Sequence, residues 1–204
     1  SGGDRGPGSL REALFVAASA SEKASIAIKV PSIVLASALP PLVNAHGITI
    51  AGPPGGVAID GRALRSGAVF DVAGAGVTIQ GVVIRNCAGA GILLRAARFR
   101  LSDSTIDACD VGVDTAENAS ALLIEGNHFT NNRIGLRFAA SIPDATVVKN
   151  EFSGSRDASI WAVRSAPDVR GAAINVRDNR FLKEPIGILD GNIAVLAERN
   201  EFRE

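Results

Sequence analysis

The 204-residue chain contains no tyrosine, no methionine, one tryptophan, two cysteines and two histidines. With eight phenylalanines as its only other rings, it cannot build a broad aromatic platform for sugars or bases. His46 stands alone in a Pro-rich connection, without a second His or Cys at ligand spacing, so a zinc site is not supported. Neither sign of charge dominates. The 21 basic and 21 acidic residues cancel, which leaves no overall field to draw nucleic acid or an acidic membrane, and nucleic acid is not expected as a partner. No phosphate-binding glycine loop, nucleophile elbow, His-Glu-x-x-His run or paired Cys-x-x-Cys occurs, which excludes nucleotide chemistry. Without methionine, the start at Ser1-Gly2-Gly3 reads as a mature N-terminus or an introduced boundary, and no signal peptide is visible. The long uncharged stretch at residues 30–59 contains Pro31, Pro40, Pro41, Pro53 and Pro54, so no membrane-spanning helix is expected there.

What is present is a chain of one-domain length, 47% hydrophobic and 21% charged, a balance that excludes disorder as its main state. Its order is repetitive. The pattern apolar-x-apolar-x-x-x-x-apolar ends in turn at Ile84, Ile106, Phe129, Phe152, Phe181 and Phe202. These positions are separated by 22, 23, 23, 29 and 21 residues, a period that means a solenoid. The 29-residue step predicts one coil with an enlarged loop around residues 165–171. A second alternating segment follows in each coil, at Ile92, Val113, Leu136, Ile160 and Ile188, usually after Gly, and its period of two means strand. Two residues before the apolar end stand Asn127, Asn150, Asn179 and Asn200, where earlier coils have Val82 and Ser104. Asn tolerates a left-handed bend, and stacked amides can bond from coil to coil. Leucine-rich repeats share the period and the Asn, but they need a helix or regular turn where this chain has a second strand. The expected fold is therefore a single all-β domain over 1–204, a right-handed parallel β-helix of seven or eight coils. Handedness follows from coil length, because left-handed β-helices use a hexapeptide period.

Ser9-Leu10-Arg11-Glu12 is a capping box, and Leu10, Ala13, Leu14, Ala17 and Ala18 form one apolar face, so a short helix at about 9–20 should plug the first coil. Regular coils follow from about residue 48 to 204. No second helix covers the far end at Phe202-Arg203-Glu204, which predicts further domains after Glu204 or end-to-end self-association.

Gly8-Ser9-Leu10-Arg11-Glu12-Ala13-Leu14 and Thr49-Ile50-Ala51-Gly52-Pro53-Pro54-Gly55-Gly56 resemble the N-terminal part of bacterial right-handed parallel β-helix proteins of the pectate lyase superfamily. The later coils resemble the generic β-helix repeat. The resemblance implies an exported protein, extracellular, on the cell surface or periplasmic, and a polysaccharide as partner. Lyases of the superfamily hold calcium on acidic residues and use Arg or Lys as base. In the comparable segment Asp103 matches the first Asp, while the His and Trp of that segment and the Arg-Pro-Arg type catalytic segment have no counterpart.

If the second strands stack in register, an outward column forms from Asp71, Leu93, Asp114, Arg137, Trp161 and Leu189. Coils ~4.8 Å apart would then set Asp114, Arg137 and Trp161 side by side. A carboxylate, a guanidinium and an indole suit a sugar acid: Arg pairs with its carboxylate, Trp stacks on the ring, and Asp takes hydroxyls or a cation. The plainer reading is a surface ion pair beside an exposed Trp. Asp190 and Arg95 lie near this face and would extend it, or serve as solubilising charges. Asp71 and Asp114 would be ~10 Å apart, marginal for a two-carboxylate hydrolase. His128 falls in a second column with Glu151, Arg180 and Glu201, a solvated charge ladder. Cys87 and Cys109 hold the same place in successive coils and would be either a disulfide or a pair of reduced thiols at a corner. Three functional readings follow. One is a non-catalytic module that binds polysaccharide through Asp71, Asp114, Arg137, Trp161 and Asp190. The second is a calcium-dependent lyase on uronate polymers, with Asp71, Asp103 or Asp114 on calcium and Arg137 as base. The third is a structural stalk whose active surface is the open end.

Overall fold

A computed structural model describes residues 2–116, 118–138, 142, 144–163, 174–191 and 193–204. The loop expected around residues 165–171 lies outside them. Among the described residues a nine-residue helix, α1 (Leu10–Ala18), precedes twenty strands wound into a solenoid of about seven turns. The first coil holds β1 (Ala24–Ala27) and β2 (Ser32–Val34), and the second β3 (Ile48–Ala51), β4 (Val57–Asp60) and β5 (Ala68–Val72). Two coils each add a short and a long strand: β6 (Thr78–Gln80) with β7 (Val82–Leu94), then β8 (Ala97–Ser102) with β9 (Thr105–Thr115). Three-strand coils follow: β10 (Ser120–Glu125), β11 (His128–Thr130) and β12 (Ile134–Phe138), then β13 (Thr146–Val148), β14 (Glu151–Ser153) and β15 (Ala158–Val163). The last strands are β16 (Ile174–Arg177), β17 (Arg180–Leu182), β18 (Ile188–Gly191), β19 (Val195–Glu198) and β20 (Glu201–Arg203). Every pairing is parallel and joins a strand to its equivalent in the next coil. One face is the eight-stranded sheet from β1 to β19. The other two faces are a single sheet folded over a corner, because β7 and β9 run unbroken round the bend. Among the described residues α1 is the only helix, which removes the leucine-rich alternative.

From β6 onward, most of the described corners are turned by one residue with positive φ. Gly81, Asp103, Gly126, Lys149, Asp178 and Arg199 turn the first corner; Asn86, Ala108, Asn131, Gly154 and Lys183 turn the second; Gly76, Arg98, Ala121 and Asp144 turn the third. The left-handed residue is thus the one before each ladder asparagine. This corrects the expectation that Asn itself supplies the bend. Its amide has another task. Asn127, Asn150 and Asn179 are buried, and the backbone N–H of each donates to the Oδ1 of the next asparagine at 2.9, 2.9 and 3.0 Å. Each Nδ2 donates to a backbone carbonyl one coil earlier: Leu101, Ile124, Val147 and, from Asn200, Val176. Ser104 continues the ladder upstream. Its N–H donates to Asn127 Oδ1, and its Oγ accepts the Val82 N–H. Buried backbone groups at a corner, which no sheet can pair, are satisfied in this way.

Inside the solenoid Phe129, Phe152, Phe181 and Phe202 stack with centroids 4.9, 5.1 and 4.7 Å apart and planes within 10°. The ring spacing matches the strand spacing, so the stack reads out coil register as the backbone does. Glycine at the head of the third face makes room for these rings. A Cβ on Gly135 would lie 2.5 Å from the Ser159 carbonyl and 3.0 Å from Phe152 Cδ1. Ser159 stands at that place one coil on, and its hydroxyl donates to Glu184 Oε2 at 2.7 Å.

At the entrance, Ser9 caps α1 by accepting the Glu12 N–H, and Glu12 accepts from Gly8 N–H. Leu10, Leu14 and Ala17 face the first coil. Buried Asn44 fixes the other end of the helix, its Nδ2 donating to the carbonyls of Ala17 and Ala20. Asp60 is 1% exposed and accepts from Arg62, Arg85 and Asn86. The Arg62 hydrogen bond, reinforced by Asn86 and opposed by burial, holds its carboxyl well below the usual carboxylate range.

Two outcomes follow. Asn150→Ala leaves the buried Asn127 N–H without an acceptor, which costs about 1–3 kcal/mol for that group alone, to be read as an equal fall in urea-unfolding free energy. The Asp60 carboxylate stabilises the fold only while ionised. Its contribution is complete above the unfolded value of about 3.9 and is lost as pH falls further. The stability advantage of the native chain over Asp60→Asn should therefore be full at neutral pH and shrink on acidification below pH ~4, as measured by pH-dependent denaturation.

Candidate functional site

The third face, from β5 through β7, β9, β12 and β15 to β18, carries the outward column. Successive pairs are Asp71 with Leu93, Leu93 with Asp114, Asp114 with Arg137, Arg137 with Trp161, and Trp161 with Leu189. Their inward neighbours Val72, Leu94, Thr115, Phe138 and Ala162 are buried, which fixes the alternation and turns the column to the surface. All six column residues are partly exposed. The charged members are already engaged. Arg137 grips Asp114 with Nε and Nη2 at 2.7 and 2.6 Å, and Arg95 grips Asp71 in the same two-pronged way. The hydrogen bond to Asp114 pushes the Arg137 guanidinium above its ordinary value, so it stays protonated.

A second cluster lies along the corner leading into this face. Arg133 donates to Asp110 at 2.6 and 3.0 Å and to Asp157 at 2.7 Å, bridging three coils. The Arg133 hydrogen bond lowers the Asp110 carboxyl, helped by the fields of Arg137 and Arg156. These residues belong with the column electrostatically, and they escape a reading built on apolar repeats. Their signal was present as opposite charges 23 and 24 positions apart, the coil length itself.

Other candidates are dispersed. Asp190 is exposed, yet it pairs with Ala162 in the inward column rather than with Trp161. Arg95 joins the face through Asp71. Asp103 is an exposed left-handed residue at the first corner, away from the third face. Asp71 and Asp114 are each clamped by arginine and Asp103 stands at a different corner, so the structure does not bring the three together. Among the described residues no three His, Cys, Asp or Glu side chains come together as a metal site. His128 lies between Thr105 and Glu151, followed by Arg180 and Glu201. Arg180 bonds both glutamates, the charge ladder expected there.

Cys87 and Cys109 are register partners at the corner where β7 and β9 turn unbroken, with Cα atoms 4.2 Å apart and sulfurs in bonding contact. Asn132 follows in the next coil and accepts the Cys109 N–H at 2.9 Å, so an amide takes over coil-to-coil linkage where the sulfurs stop.

Compared with known protein families, residues 44–202 match the family described as right handed beta helix region. Comparison with curated proteins finds no match.

The cysteine geometry predicts that neither thiol reacts with a maleimide in the unfolded, unreduced protein, and that both react after reduction. Two reactive thiols before reduction would remove the bridge.

Proposed function

The chain belongs to the right-handed β-helix family, and from that premise we propose that it is a non-catalytic module that binds polysaccharide on its third face. The observation that carries this reading is Trp161. It is the one indole of the chain, held on an outward position with Arg137 on one side and Leu189 on the other. A partly exposed ring flanked by an aliphatic side chain and by hydrogen-bonding groups offers both contacts that a sugar needs: a flat apolar surface for its C–H face and donors and acceptors for its hydroxyls. The repeat of the fold supplies such groups at steps of ~4.8 Å along the axis, so a linear chain laid along the face meets several of them.

An exported location, at the cell surface or in the periplasm, accords with the Cys87–Cys109 contact, because disulfides persist in oxidising compartments. Lyase chemistry draws less support. Its base would have to give up a proton, and Arg137 is held charged by Asp114.

Trp161→Ala should weaken retention on immobilised polysaccharide by roughly 3- to 10-fold, the worth of one aromatic stacking contact, with an unchanged far-ultraviolet spectrum. Equal retention by the variant would overturn the assignment.

A further inference from the structure

Resting on that reading, we infer that the third face selects neutral polysaccharides over uronate polymers. The sequence alone suggested a sugar acid, because an arginine beside a tryptophan is a natural partner for a carboxylate. The structure shows what that arginine already holds. Arg137 spends its two-pronged Nε and Nη2 edge on Asp114, and Arg95 spends the same edge on Asp71. Arg133 uses Nε and Nη2 on Asp110 and Nη1 on Asp157. Two-pronged pairing is the geometry by which arginine would recognise a uronate, and here the protein's own carboxylates occupy it.

Charge leads to the same result. Among the described residues, Arg95, Arg133 and Arg137 meet Asp71, Asp110, Asp114 and Asp157, and the further guanidinium of Arg156 acts on Asp110, so four cations face four anions. A uronate gains no net attraction from these eight groups. To reach an arginine it must displace a resident carboxylate and leave that group beside its own. Hydroxyls are treated differently. A bonded Arg–Asp pair still carries unused N–H donors and carboxylate lone pairs side by side, and a sugar hydroxyl, donor and acceptor at once, can use both without breaking the pair. Trp161 and Leu189 add apolar contact that is indifferent to charge.

The test is retention of the 204-residue chain, and of Trp161→Ala and Asp114→Asn, on neutral polymers (glucomannan, galactan, xylan, dextran) and on pectate and alginate. The inference expects at least one neutral polymer to retain the chain 10-fold or more over both uronates. A roughly tenfold rise in salt should change that retention less than 2-fold, since no net charge is screened. Asp114→Asn releases Arg137 and should raise the ratio of uronate to neutral retention at low salt by at least 3-fold. Stronger, salt-sensitive retention of the native chain on pectate or alginate overturns the inference and leaves the polysaccharide-binding reading standing. No rise of that ratio in Asp114→Asn overturns the role given to the Asp114–Arg137 pair. Retention on neither class overturns both the inference and the reading beneath it.

Discussion

The structure depends on the need to satisfy backbone groups at corners. A parallel sheet pairs the N–H and C=O groups of its strands automatically, but every coil of a solenoid must turn, and at each turn the backbone leaves the sheet while still buried. The asparagine ladder answers this at one corner. A single amide accepts an N–H from one neighbour and donates to a carbonyl of the same neighbour, a task that needs both polarities on one short side chain. Ser104 supplies only the acceptor half across the coil, and its hydroxyl donates locally to Ser102 instead. The core is arranged around this fixed point: the phenylalanine stack begins two residues after each ladder amide, so its ring spacing is inherited from the corner.

Left-handed residues show how local strain is distributed. Among the described residues eleven non-glycine ones have positive φ, including Ala108, Ala121, Lys149 and Arg199, which have no intrinsic preference for it. Each is disfavoured by about 1–2 kcal/mol relative to the usual region. They persist because ladder hydrogen bonds and strand pairing on both sides determine the corner. Glycine, the easier choice, fills the same place at Gly81, Gly126 and Gly154, so position along the coil, not residue type, defines the bend.

Most of the fold was legible because it is periodic. Strands, inward phenylalanines, the amide ladder and the outward column all repeat at the coil length, and a period can be counted without knowing any contact. The helix cap was legible for a local reason, in the Ser9 and Glu12 pair. What periodicity does not encode is the choice of partner by long flexible side chains. That Arg95 reaches back to Asp71, or that Arg133 bridges Asp110 and Asp157, depends on guanidinium reach across coils. Asp190 is a separate case: it stands one position past the column residue Leu189, and its register with Ala162 puts it on the inward column in the last coil. The bend falls one position before each ladder Asn, because the Asn is held there by its amide hydrogen bonds and not by tolerance of an unusual φ.

Between Phe152 and Phe181 the chain uses 29 residues where neighbouring steps use 21 to 23, yet Phe152 still pairs with Phe181, Val147 with Val176, and Asn150 with Asn179. The added length leaves strand alignment untouched on either side. Coil length and scaffold integrity are thus independent variables in this molecule. A coil of this solenoid can therefore change in length while the strands and ladder on either side keep their register.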